Sequence, residues 1–222
     1  MCNEYERQIA REAYEAEFRH IGPDWDALQS NEPAIRVRPT DTAQILRVDD
    51  DGALRVVNAR WGFVPRTWPG TVKDWLKQLK GNPMTNARSE GISKSSAFGS
   101  SYKHRRCLVP AVAYFEYTGP KGAKVRHRFT IRGEPIFAFP GVWDRVQTAD
   151  GPVESFALLT SAPGPDAAPF HNRQPVILPK DGWVDWLDVK NDLAPTFRGS
   201  PPGTIAEEVS PLVKAETPQL LL

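Results

Sequence analysis

Cys107-Leu-Val-Pro110, Ala113-Tyr-Phe-Glu-Tyr117, Arg126-His-Arg-Phe-Thr-Ile131, Pro135-Ile-Phe-Ala-Phe-Pro-Gly-Val-Trp143 and Glu154-Ser-Phe-Ala-Leu-Leu-Thr-Ser161 follow one another, separated mainly by Gly119-Pro120, Gly133 and Asp150-Gly151. Short runs rich in aromatic and β-branched residues, bounded by glycine, proline and aspartate, read as strands. The first two runs read as a single strand interrupted by proline. No helical pattern lies between the runs, so neighbours in sequence are expected to pair directly rather than through crossovers. This argues for an α+β fold with a mixed or antiparallel, partly closed, barrel-like sheet, and against a doubly wound one.

Upstream, Asp50-Asp51-Gly52 is a turn signal between an extended stretch from Ala34 to Val48 and the run Leu54 to Trp61, which predicts a hairpin. Helices belong to the periphery. Tyr5, Ile9, Ala13 and Ala16 recur at helical spacing among charges, which predicts an amphipathic helix from Glu4 to Arg19. Thr71 to Lys80 and Asp181 to Leu187 predict two more. Trp61-Gly-Phe-Val-Pro65 opens an aromatic loop that includes Trp68, and Met84 to Glu90 reads as irregular. Downstream, Pro163 to Pro169 reads as a loop or short helix and Pro175-Val-Ile-Leu-Pro179 as a short apolar strand, with the remainder to Leu222 mostly irregular. Without a repeat or a composition break, residues 1–222 read as a single domain.

Composition narrows the function classes. The 40% hydrophobic and 25% charged content of these 222 residues is that of an ordinary soluble domain with a sizeable core. A formal net charge of +1 neither requires nor excludes nucleic acid, because phosphate binding depends on a local basic surface. Two cysteines, Cys2 and Cys107, are too few for a disulfide framework or a four-thiolate metal site. Charges throughout the first twenty residues leave no signal-peptide core, and no apolar run approaches a membrane span. A cytosolic protein without a cofactor is expected.

Several residues carry chemistry. If Met1 is removed, Cys2 presents an α-amine and a thiol on adjacent carbons, and such a 1,2-aminothiol can trap one aldehyde twice, as an imine and then as a thiazolidine. Glu116, set among Tyr114, Phe115 and Tyr117, is either paired structurally or raised in pKa by desolvation, which would suit proton transfer. His171 stands in the polar stretch Phe170-His-Asn-Arg173. Asn86-Ala-Arg-Ser-Glu90 offers an amide and the guanidinium of Arg88 to a pocket, or simply forms a turn. Trp61, Phe63 and Trp68 are candidates for base stacking or for core. The basic run Lys103-His-Arg-Arg106, with Arg105 and Arg106, either tracks a phosphate backbone or is a solvated face.

Taken in order, Met1-Cys2, Trp61-Gly-Phe-Val-Pro65, Asn86-Ala-Arg-Ser-Glu90, Arg105-Arg-Cys-Leu-Val-Pro110 with Phe115-Glu-Tyr117, Phe137 to Trp143, Leu159-Thr160 and His171 to Leu178 resemble the SOS response-associated peptidase family, abasic-site processing proteins. The resemblance covers nearly the whole chain. It implies a sensor of abasic sites in single-stranded DNA that crosslinks itself to the ring-opened sugar through its N-terminal cysteine, shielding the lesion during the DNA-damage response. Carried over, Cys2 supplies amine and thiol, Asn86 orients the reacting groups, Glu116 shuttles protons and His171 assists ring opening. Arg88 holds a phosphate, and the Trp61 to Trp68 segment lies along the DNA. A monomer is expected, in a bacterial-type cytosol or at the nucleoid, with lyase activity arising only if ring closure fails.

The chain departs from the family pattern in three places. Asn3-Glu4 stand where Gly-Arg is usual, Gln174 replaces a methionine, and Tyr117 replaces a tryptophan. Glu4 in place of an arginine predicts repulsion of phosphate. The Thr71 to Asn82 stretch also reads as an insertion. The alternative to a trap is a cysteine peptidase or autoprocessing enzyme using Cys2 with His171 and Asn86. A nucleic-acid-binding module without chemistry would leave Cys2, Glu116 and His171 unexplained.

Overall fold

The computed structural model describes residues 3–7, 11–24, 36–197 and 204–209. Met1 and Cys2 lie outside the described residues, as do Ala34 and the tail beyond Val209.

Along the chain come β1 (Tyr5–Glu6), α1 (Arg11–Phe18), β2 (Arg36–Val37), β3 (Thr42–Val48), β4 (Leu54–Trp61), α2 (Val72–Gln78), β5 (Asn86–Arg88) and α3 (Gly99–His104). These are followed by β6 (Arg106–Ala111), β7 (Ala113–Thr118), β8 (Val125–Ile131), β9 (Phe137–Thr148), β10 (Gly151–Ser161), β11 (Gln174–Pro175), α4 (Trp183–Leu187) and β12 (Thr204–Val209). The expected α+β architecture with a mixed sheet and peripheral helices is present. Strands β10, β4, β3, β6 and β9 pair in that order, and β9 pairs with β10 to close a five-stranded barrel. The pairing of β10 with β4 is parallel; the other four are antiparallel. A second, antiparallel sheet runs β12-β8-β7-β1-β2.

Both faces of the barrel wall are apolar. Ile45, Trp61, Cys107, Val109, Phe139 and Phe156 pack with Tyr5, Tyr114 and Phe129 of the second sheet. Leu46, Val56, Leu108, Val142, Ala157 and Leu159 pack with Phe18, Trp183 and Trp186 of the helices. Strand residues alternate between two faces, so a wall buried on both sides needs the nearly continuous apolar runs seen in sequence. Helix α4 has five residues, too few to persist alone. It is held by Trp183 and Trp186, both fully buried, whose indole nitrogens donate to Leu178 O and Cys107 O.

Local chemistry accounts for the turns. Gly52 sits at φ +83° between β3 and β4, and Asp49 N donates to Ala53 O at 2.9 Å, closing the predicted hairpin. Thr71 caps α2 through its hydroxyl, which accepts from Asp74 N at 3.0 Å.

Other expectations are corrected. Tyr5–Glu6 is a strand rather than helix, because its backbone pairs with β2 on one side and β7 on the other; α1 begins at Arg11. Val112 breaks the predicted single strand into β6 of the barrel and β7 of the second sheet. The segment read as irregular contains β5, which pairs in parallel with β10. The tail contains β12 along β8. The apolar run at 175–179 pairs only at its start, with one further bridge from Leu178 to Ala138.

Candidate functional site

The end of the second sheet sets the first part of the site. Tyr5 faces Tyr114, and Phe115 N donates to Glu4 O at 3.0 Å, so the start of the chain is laid along β7 next to Glu116. Glu116 is buried and lies opposite His127 on β8. Burial pushes its carboxyl up to about 7, while the positive charge of the amino terminus pulls it the other way. A carboxyl poised there exchanges protons freely near neutrality. His127 is fixed by Thr118 Oγ1 at 2.7 Å from Nε2, and its ring packs edge-on against Phe170 at 4.7 Å.

Phe170 leads directly to His171, which is half-buried. The backbone of Arg173 holds the His171 ring at Nδ1, its N–H lying 2.9 Å and its carbonyl oxygen 3.1 Å from that nitrogen. Burial, followed by the charge of the amino terminus, lowers the imidazole pKa and so favours the neutral form. The same terminal charge therefore acts on both Glu116 and His171.

Strand β10 carries the second part. Asn86, on β5, faces Leu158, and Arg88 faces Thr160, while Thr160 and Ser161 also pair with β11, three residues after His171. The Asn86 amide donates to Thr85 Oγ1 at 2.9 Å. Asn86 and exposed Arg88 open onto a cleft of about 450 Å³ shared with Glu90, Ser95, Phe98 and Arg173. Arg173 closes one wall by pairing with Glu90 and donating to Thr160 O at 2.6 Å. Glu90 and Arg173 lay inside two motifs of the sequence without an assigned role. They anchor the loop whose backbone orients His171.

Four of the residues proposed for DNA contact are placed otherwise. Trp61 is fully buried, with its indole donating to Thr85 O at 2.9 Å and its ring against Tyr5, so no face is left for a base. Phe63 is equally buried and packs on Phe98. Arg105 is buried and paired with Asp144 at 3.0 Å. Arg106 donates to the carbonyls of Tyr102, Trp186, Asp188 and Val189 and lies over the rings of Tyr102 and Trp186. Buried arginines consumed by carbonyls and a carboxylate hold the barrel to its helices and have no reach to phosphate. Trp68 is half-buried beside Trp75, its indole donating to Thr71 O at 2.9 Å.

All three places where the chain departs from the family pattern have structural explanations. Gln174 is buried and its Oε1 accepts from Gly164 N at 2.9 Å, tying down the loop before His171. Glu4 and Tyr117 meet: the tyrosine hydroxyl donates to Glu4 Oε2 at 2.5 Å, and Arg126 donates to both carboxylate oxygens at 3.0 and 3.3 Å. Arg36 and Arg38 lie at 3.8 and 4.0 Å from the same carboxylate. Rather than projecting toward solvent as a repulsive charge, Glu4 is 2% exposed and surrounded by guanidiniums. Among the described residues no three metal-ligating side chains converge.

The family model described as SOS response associated peptidase (SRAP) matches residues 1–214. The abasic site processing protein YoqW of Bacillus subtilis is 31% identical over 164 residues, 72% of this chain and 68% of that protein. The abasic site processing protein HMCES of Gallus gallus is 25% identical over 203 residues, 77% of this chain and 58% of that one. Among solved structures, a protein from Bacteroides thetaiotaomicron superposes with a TM-score of 0.77 at 22% identity, covering 94% of this chain and 92% of the other.

Proposed function

The chain belongs to the SOS response associated peptidase family, and on that premise we propose that it processes abasic sites in single-stranded DNA by crosslinking itself to them through Cys2. The observation that carries this reading is Glu116, a buried carboxyl with its pKa pushed up to about 7 beside the strand that delivers the start of the chain. The described strand β1 ends its pairing with β7 at Tyr5, and the chain continues toward Glu116 through Glu4 and Asn3.

With Met1 removed, the Cys2 α-amine attacks the C1′ aldehyde of the ring-opened sugar, and the carbinolamine loses water to give an imine. The Cys2 thiolate then adds to the imine carbon, the nitrogen regains a proton, and a thiazolidine results with no net oxidation or reduction. Free amine and thiol have pKa values of about 8 and 8.5, so each needs a base near neutrality. Glu116 takes a proton from the attacking group and returns it to the departing hydroxyl. His171, its Nδ1 held by the backbone of Arg173, exchanges a proton with the sugar ring oxygen as the ring opens. Arg88, exposed at the rim of the cleft, supplies a cation for the flanking phosphate, and Asn86 beside it supplies an orienting amide.

The test is a denaturing-gel assay with an abasic oligonucleotide. Wild-type protein is expected to yield a stable adduct and Cys2→Ala none; a stable adduct from Cys2→Ala would sink the thiazolidine. Glu116→Gln should slow adduct formation by about 10²-fold or more, the usual weight of a general acid–base, and should abolish the inflection near pH 7 in the rate profile. Unchanged pH dependence in that variant would remove Glu116 from the chemistry. Blocking the α-amine separates the trap from a thiol peptidase, since only the trap requires that amine.

A further inference from the structure

Arg36, Arg38 and Arg126 converge on the single carboxylate of Glu4, so the cluster keeps two positive charges in excess. The excess is not distributed evenly. Arg126 is 7% exposed, with its guanidinium over the Phe115 ring and both carboxylate oxygens within its reach, so it is spent on Glu4. Arg36 is 31% and Arg38 58% exposed at their side chains, and both stand at ion-pair range rather than at hydrogen-bond distance. Arg36 Nε makes no hydrogen bond among the described residues. The neighbouring pair on the same sheet behaves differently: Arg128 donates to Glu6 at 2.8 Å, one charge against one.

The backbone beneath Arg38 is built to hold it. Arg38 N donates to Asp41 Oδ2 at 2.8 Å and Asp41 N donates to Arg38 O at 3.0 Å, so the Asp41 carboxylate is engaged by main chain. Between them Thr40 has φ +82°, a conformation a β-branched residue adopts only under constraint. Thr40 N donates to Trp61 O at 2.7 Å, and Arg60 donates to Thr40 O at 2.7 Å, fastening the turn to the barrel. The cluster borders Tyr117, the residue after Glu116, whose hydroxyl is bound to Glu4.

We propose that Arg36 and Arg38, gathered with Arg126 by Glu4, form a docking site for one backbone phosphodiester of the nucleic-acid strand at the edge of the reactive site. The inference rests on the strand-binding part of the proposed function. Glu4 acts here as an internal anion that packs three arginines together. A phosphodiester seated between the two outer guanidiniums still leaves the group with one positive charge. The carboxylate where the family usually has an arginine is thereby turned from a repulsive charge into the organiser of an attractive patch.

The experiment measures binding of an undamaged single-stranded oligonucleotide as a function of salt for wild type, Arg36→Ala, Arg38→Ala and Arg128→Ala. Each arginine neutralising a strand phosphate contributes about 0.7 to the slope of log K against log salt. Arg36→Ala and Arg38→Ala are expected to flatten the slope, by up to about that amount each, with Arg38→Lys restoring it, whereas Arg128→Ala keeps the wild-type slope. Equal flattening by Arg128→Ala would reduce the effect to overall charge and overturn the site, as would wild-type slopes in both cluster variants. Competition by inorganic phosphate at matched ionic strength, strong in wild type and lost in Arg38→Ala, would assign the cluster to free phosphate and overturn the strand reading. A wild type that binds with the expected slope but forms no adduct removes the trapping chemistry and leaves the cluster. A wild type that traps while the cluster variants keep its slope removes the cluster alone.

Discussion

Glu4 and Asp144 are both almost fully buried carboxylates that collect arginines, yet they are satisfied in opposite ways. Asp144 accepts from the backbone amides of Arg66 and Arg145 and from Ser101, and its arginine partners are Arg105 and Arg66. Its contacts join the aromatic loop, α3 and β9. Glu4 is held by side chains, three guanidiniums and one phenol, two of the guanidiniums reaching solvent. Main-chain donors cannot leave without unfolding, whereas long side chains can turn to another anion. The first arrangement serves the fold, and the second, under the docking proposal, keeps cationic surface for a strand phosphate.

The strongest way to break this comparison is Asp144→Ala. Removing a buried charge whose partners stay behind should cost about 3–5 kcal/mol, read by urea unfolding, with no change in the salt dependence of DNA binding by the folded fraction. A loss below about 1 kcal/mol would show that these contacts are replaceable by water. Glu4→Gln comes next. It keeps the volume and should cost about 1–3 kcal/mol, the range for losing a buried charged hydrogen bond, while DNA binding tightens because the cluster loses its own anion. Weaker binding by a folded Glu4→Gln protein would mean that the arginines depend on Glu4 for position more than they compete with it for charge. The smallest effect belongs to Thr40→Gly: relief of the left-handed strain and greater unfolded-state freedom oppose each other, and stability should stay within about 1 kcal/mol. The salt slope should nevertheless flatten slightly as Arg38 loses its fixed turn.

Glu116 adds a contrast with a definite pH signature. Its folded pKa, about 7, lies above the ordinary carboxylate value, so the stability it contributes is present at low pH and lost as pH rises toward 7. The stability gap between Glu116→Gln and wild type should therefore shift in favour of the variant between about pH 4 and pH 7 and level off above. A gap independent of pH would mean that the carboxyl is not perturbed in the folded chain.

The barrel was legible in sequence because each wall strand is a local run with its own turn signals, and the β3–β4 hairpin follows from Asp50 to Gly52 alone. A partly closed sheet was expected, but which strands meet to complete it was not legible, since the parallel pairing of β10 with β4 joins segments that share no local pattern. Tyr5–Glu6 fooled the helical reading because spacing records which residues are apolar, and the strand is imposed by partners far along the chain. The same limit governs the site. Glu116 could be singled out from its aromatic neighbours, but a basic run such as Arg105-Arg106 carries no mark of whether carbonyls or solvent will meet it. Trp61 and Phe63 likewise read equally well as a stacking surface or as core until their burial is known.

Strand β1 is two residues long and lies between β2 and β7, so it has no sheet to join until the β7–β8 hairpin exists. Pairing across so long a stretch of chain is costly in loop entropy and tends to come late in folding. On the proposed chemistry, a chain in which β1 has not docked would lack Glu116 beside Cys2 and would react with an aldehyde only at the rate of a small peptide.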